Sequence, residues 1–113
     1  MQFLVMGENI DSGYLVPPDQ LVGAIEHAVL PSFQMMADLE HQGKVKGGTF
    51  PGERAGAFVA DAGSYEELDA LLNKLPFYGL VKWQVKPLMP FSSMAKQLPD
   101  YLKAMRQGGG GPG

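Results

Sequence analysis

Residues 75–88, LPFYGLVKWQVKPL, decide how this chain folds. Leu75 and Pro76 read as the exit of a helix, Phe77-Tyr78-Gly79 as a turn, and the remainder as a strand. From Leu80 onward Val81, Trp83 and Val85 share one face while Lys82, Gln84 and Lys86 share the other, the period of two that marks a half-buried strand. Just upstream, Ser64 followed by Glu67 forms a capping-box pattern, and Leu68, Leu71, Leu72 and Leu75 supply the apolar face of a short helix. Helix, turn and lysine-bearing edge strand therefore close the folded part of the chain.

Working back towards the N-terminus, residues 55–61 and 44–50 read as two strands joined by a Phe50-Pro51-Gly52-Glu53 turn. A helix is expected over residues 19–42, entered through Pro17 and Pro18, favoured by Asp19 at the positive end of its dipole, and stopped by Gly43. Leu21, Ile25, Val29, Ser32, Met36 and Leu39 make its packed stripe. Pro31 predicts a kink or break near residues 28–30. Phe3 to Met6 are apolar on both parities and read as a central strand, followed by a loop over residues 7–18. The order is βαββαβ, an α+β ferredoxin-like domain with a four-stranded antiparallel sheet. The first and third strands sit in the middle, and Lys44, Lys46, Lys82 and Lys86 protect the edges.

Both helices can cover only one face of such a sheet, so Leu4 and Met6, or else Phe3 and Val5, need another cover. A second copy of the chain is the simplest one, and a homodimer or higher homo-oligomer is expected. Beyond the domain, residues 1–90, a helical spacing continues through Phe91, Met94, Leu98, Tyr101, Leu102 and Met105. This C-terminal arm, residues 91–107, is expected as two short helices split at Pro99, followed by a disordered glycine-rich tail over 108–113.

At 113 residues, 45% hydrophobic and 19% charged, the chain is expected to be one globular domain. No apolar run approaches the ~18 residues of a membrane span, and no membrane partner is expected. The start MQFLVM lacks a basic n-region and there is no cysteine, which points to a cytoplasmic protein. A net charge of −3 with scattered Lys and Arg argues against nucleic acid as a partner. No HExxH pattern is present, so no metal is expected, and Gly47-Gly48 is not a phosphate loop but marks a bulge or a close backbone approach.

The 75–88 block, with SYEELDALLNKLP before it and PFSS after it, resembles the muconolactone isomerase-like family. Gln42-Gly43 at the end of the first helix and Asp61 at the end of the third strand extend the resemblance over roughly residues 1–93. It implies a dimeric α+β barrel built from face-to-face sheets, and a cofactor-free enzyme that moves a proton on an unsaturated lactone. The family's enzymes carry a Trp-, Arg- and His-rich run on the second strand and a charged middle of the first helix. The matching stretches here read KVKGGTF and LPSFQMM, leaving an apolar lining of Phe33, Met35 and Met36 suited to a small-molecule ligand.

Proton transfer needs an acid and a base. Glu40, at the border of the packed stripe, is the candidate base; its other reading is a surface carboxylate paired with a lysine such as Lys44. Tyr14, in the first loop, is the candidate acid or else a loop anchor. Phe33, Met36 and Trp83 are expected at the ligand, Trp83 being alternatively a core residue. Lys44 and Lys46 either bind an anionic group or guard the sheet edge. His27 and His41 fall on the outer face of the first helix and are read as structural. The alternative to an isomerase or cyclase is a non-catalytic, small-molecule-binding or structural oligomer.

Overall fold

The fold was analysed in a computed structural model that describes residues 1–10 and 17–108. β1 (Gln2–Asn9), β2 (Val45–Thr49), β3 (Ala55–Asp61) and β4 (Val81–Leu88) form one antiparallel sheet in the order β2-β3-β1-β4. The lysine-free strands are thus central and the lysine-bearing ones are edges, as the composition of each strand predicts. β1 runs three residues beyond its apolar stretch because its Gly7 pairs with Gly56 on one side and Trp83 on the other, and the Asn9 N–H reaches the Arg54 carbonyl. The loop expected from Gly7 is therefore strand up to Asn9. Tyr14 falls in 11–16, outside the described residues, as do the glycines of the tail from 109 onward.

The β2–β3 turn has the predicted chemistry. Pro51 and Gly52 occupy its central positions, Gly52 takes a φ of 79°, and the Glu53 N–H bonds the Phe50 carbonyl at 3.0 Å. α3 (Tyr65–Asn73) starts at Ser64, whose hydroxyl accepts from the Glu67 N–H at 3.1 Å. The Glu67 carboxylate reaches back one residue further than the standard box and accepts from the Gly63 N–H at 3.0 Å.

The first helix holds the largest difference from expectation. It does not break at Pro31; the interruption expected near residues 28–30 takes the form of a π-helical turn (Ile25–Val29) between α1 (Pro18–Ala24) and α2 (Leu30–His41). Pro31 has no N–H for the turn before it, and the backbone answers by widening: the Leu30 N–H bonds the Ile25 carbonyl, five residues back. The wider turn splits the packed stripe in two. Ser32, Met35 and Leu39 face the core, while Leu21, Ile25, Val29 and Phe33 continue along a second line. At its C-terminus the Lys44 N–H bonds the Leu39 carbonyl and the Gly43 N–H the Glu40 carbonyl, both at 2.9 Å, with Gly43 at φ 78°. This is a Schellman stop, which glycine adopts without strain.

Phe3, Val5, Val45, Ala60, Leu68, Leu72 and Leu75 are buried between α3, α2 and one half of the sheet. Leu4, Met6 and Val59 lie on the opposite, helix-free face and are only half-buried. α4 (Phe91–Gln107) is a single helix rather than two. Pro99 sits inside it, and Ala95, whose carbonyl loses its usual partner to that proline, is exposed, where water can serve it. The whole of α4 except Ser93 is exposed, and the molecule measures 68 × 32 × 25 Å along its axes, so this helix projects from the domain. No helix among the described residues is long and apolar enough to cross a membrane.

Candidate functional site

The sheet changes character along its length. Phe3 and Val5 of β1, with Ala60 and Phe58 of β3, fill the half under α3; two residues on, β1 and β3 carry Gly7 and Gly56, paired side by side. Where those side chains are missing, α1 and α2 span the sheet without filling the space beneath them. The result is a cavity of about 770 Å³.

Its inner wall is aromatic. Phe33 of α2 meets Phe77 edge-on with ring centroids 5.5 Å apart, and Phe77 meets Trp83 edge-on at 6.0 Å. Trp83 is held from behind by Tyr78, stacked at 6.2 Å, and its indole N–H donates to the Tyr78 carbonyl at 3.1 Å. Such ring pairs resist rotation, so the wall is preorganised. Phe77 itself is fixed through Ser32. The fully buried Ser32 hydroxyl donates to the Ala28 carbonyl at 2.7 Å, inside the π-helical turn, and accepts from the Phe77 N–H at 2.9 Å. One side chain thereby ties the widened helix to the loop that carries the aromatic wall.

The floor is backbone. A Cβ on Gly7 would sit 2.8 Å from Val81 Cγ1 and 3.1 Å from the Trp83 ring, and one on Gly56 would sit 2.7 Å from the Gly48 carbonyl oxygen. A Cβ on Gly47 would collide with the Ala57 carbonyl and the Phe58 backbone, so Gly47 marks a close approach between β2 and β3, whereas one on Gly48 would meet open space. Among the described residues, charge on the helix side is confined to exposed residues at the rim, Glu40, Glu53 and Arg54; Glu8 borders the cavity through β1, with its side chain on the parity of the open face.

Of the residues singled out from sequence, Glu40, Phe33, Met36 and Trp83 line this one cavity. Met35 packs on the core instead. Lys46 does not join them, because Val45 points into the helix side and the alternation of β2 turns Lys46 to the open face; Lys44, just before the strand, shares its parity. His27 and His41 are exposed and do not line the cavity. Among the described residues no cluster of three or more His, Cys, Asp or Glu side chains could hold a metal ion. Gly7, Phe77 and the rim residues Glu53 and Arg54 escaped sequence reasoning. Only Gly7 left a signal, an isolated glycine next to a wholly apolar run.

Comparison with known proteins agrees with this architecture. The profile of the family described as Muconolactone delta-isomerase matches residues 10–94. A crystal structure of muconolactone isomerase matches with a TM-score of 0.63 at 20% identity, covering 80% of this chain and 90% of that one. A structure of 5-chloro-2-hydroxyhydroquinone dehydrochlorinase from Burkholderia phenoliruptrix AC1100, in complex with 2,5-dihydroxybenzoquinone, matches with a TM-score of 0.50 at 22% identity, covering 79% and 94%. At these identities the structural likeness is one of fold. Compared by sequence alone, the chain matches no curated protein.

Proposed function

The chain belongs to the muconolactone delta-isomerase family, and we propose that it binds a small, mostly apolar carbonyl or lactone compound in the helix–sheet cavity and shifts a proton on it without a cofactor, as an isomerase or cyclase does. The observation that carries this reading is the cavity itself, walled by Phe33, Phe77 and Trp83 with the Glu40 carboxylate at its rim. Glu40 takes a proton from the carbon beside the carbonyl; the C–H electron pair becomes an enolate. Tyr14 donates a hydrogen bond to the enolate oxygen, and the protonated Glu40 returns the proton to the conjugated carbon, leaving the double bond moved. The two structural neighbours are named for a lactone and a hydroxyhydroquinone, both small oxygenated rings, which supports a ligand of that general kind.

Exchange of the acidic protons of tetralone with deuterated solvent, followed by NMR, tests this. Wild-type protein should accelerate exchange and Glu40→Gln should lose at least tenfold of that acceleration with tetralone binding retained. Equal rates for the two proteins contradict the role of Glu40. A second reading, a binding protein without catalysis, is favoured by the solvent exposure of Glu40 and predicts binding of tetralone with no accelerated exchange by either protein.

The biological unit we propose is a homodimer or larger homo-oligomer in which two open sheet faces meet as a barrel. The half-buried Leu4, Met6 and Val59 on that face support it.

A further inference from the structure

We infer that the cavity is built for an uncharged ligand of two or more fused rings and discriminates against single-ring and carboxylate-bearing compounds; this rests on the reading of the cavity as the ligand site. Size is the first argument. Clefts that take drug-sized ligands measure roughly 300–1,000 Å³, and this one, at about 770 Å³, lies in the upper half of that range. A one-ring ketone would leave most of the lining without partner atoms, and each unmade contact forfeits dispersion attraction.

Shape is the second. Without a Cβ at Gly7 the Val81 side chain and the Trp83 ring close down on β1, and without one at Gly56 the β2 backbone does the same on β3, so the floor stays low and a planar ring system can lie over it. Opposite stands the aromatic wall of Phe33, Phe77 and Trp83, whose edge-on contacts are fixed from behind by Ser32 and Tyr78. The wall does not need to collapse to meet a large ligand, because it is already held open.

Charge is the third. Among the described residues the rim carries the carboxylates of Glu40 and Glu53 against the guanidinium of Arg54, the Glu8 side chain sharing the parity of Leu4 and Met6 on the open face. Field lines concentrate in a cleft with low-dielectric walls, so the excess of negative charge is felt by an entering molecule and raises the cost of bringing in an anion. Lys44 and Lys46, which could have offset it, lie on the other parity of β2. The polar ends of the accepted ligand are then carbonyl or hydroxyl groups rather than carboxylates.

The test uses the full chain and its single tryptophan, whose indole N–H gives one resolved resonance and sits in the cavity wall. That resonance is titrated with three probes: fluorenone, which is uncharged and three-ringed, its carboxylate derivative, and cyclohexenone. Fluorenone should shift it with an affinity at least tenfold tighter than either of the others. Gly7→Val, whose side chain must push Val81 and the Trp83 ring out of their places in the lining, should weaken fluorenone at least tenfold, the dispersed spectrum of the variant showing that it folds. Equal or tighter binding of the carboxylate overturns the inference on charge; equal or tighter binding of cyclohexenone overturns it on size; a fluorenone titration without any shift overturns both. Proton transfer is read separately. If tetralone exchange fails while the preference for fluorenone holds, the catalytic reading falls and the ligand class stands. If exchange holds while cyclohexenone is preferred, the reverse is true.

Discussion

Ser32 uses both directions of its hydroxyl, donating to Ala28 and accepting from Phe77, with no exposure to water. Removing it strands the Phe77 N–H in the interior, and an unsatisfied buried group costs about 1–3 kcal/mol. Ser32→Ala should therefore lower the midpoint of urea unfolding by that amount of stability with an unchanged slope, whereas an unaltered midpoint would show that the bridge carries no load. Serine read as one more member of an apolar stripe gives no hint of this, because its partner lies 45 positions away in sequence. The same limit separates Glu40, Met36 and Trp83, which periodicity places at the cavity, and Phe33, which the family resemblance supplied, from Lys44 and Lys46, which charge alone assigned to a ligand and which do not line it. Strand parity decides against the lysines: with Val45 inside, its neighbours cannot be.

Elements were legible where local chemistry sets them. Ser64 and Glu67 start α3, Gly43 stops α2, and Pro51-Gly52 turns the hairpin, each within the span of one turn. Prolines in the middle of helices were not, since what proline does there depends on how the neighbouring carbonyls find other partners. At Pro31 the helix widens into a π turn and Ser32 bonds a carbonyl; at Pro99 the helix runs on unwidened with its neighbouring residues exposed. Because α4 stands apart from the domain, the two effects can be separated experimentally. Pro99→Ala restores the missing hydrogen bond, and a proline inside a helix costs about 3 kcal/mol relative to alanine. The variant should show stronger helical circular dichroism and later melting of that signal, with the near-ultraviolet signal of the domain melting as before. Unchanged helicity would mean that α4 is held by something other than its own backbone.

At the scale of the molecule, two apolar surfaces lack partners among the described residues. One is the open face of the sheet; the other runs along α4, where Met94, Leu98, Leu102 and Met105 recur at helical spacing and Phe91 is 95% exposed. Contiguous apolar surface of this kind marks an interface, and neither the parity argument that locates the first nor the periodicity that locates the second says what covers it. Native mass spectrometry should find an oligomer with an even number of subunits at micromolar concentration; a monomer would remove the barrel. The cavity does not depend on that outcome, being a partly open cleft lined by α1, α2 and the sheet of a single chain. The central claim is that this cavity, and not the open sheet face or the arm, receives the small molecule. Methionine methyl NMR separates the three, because Met36 lines the cavity, Met6 lies on the open face, and Met94 and Met105 lie on α4. On titration with fluorenone the Met36 methyl should shift first and most. Shifts at Met6 or on α4, with Met36 unmoved, would contradict the account.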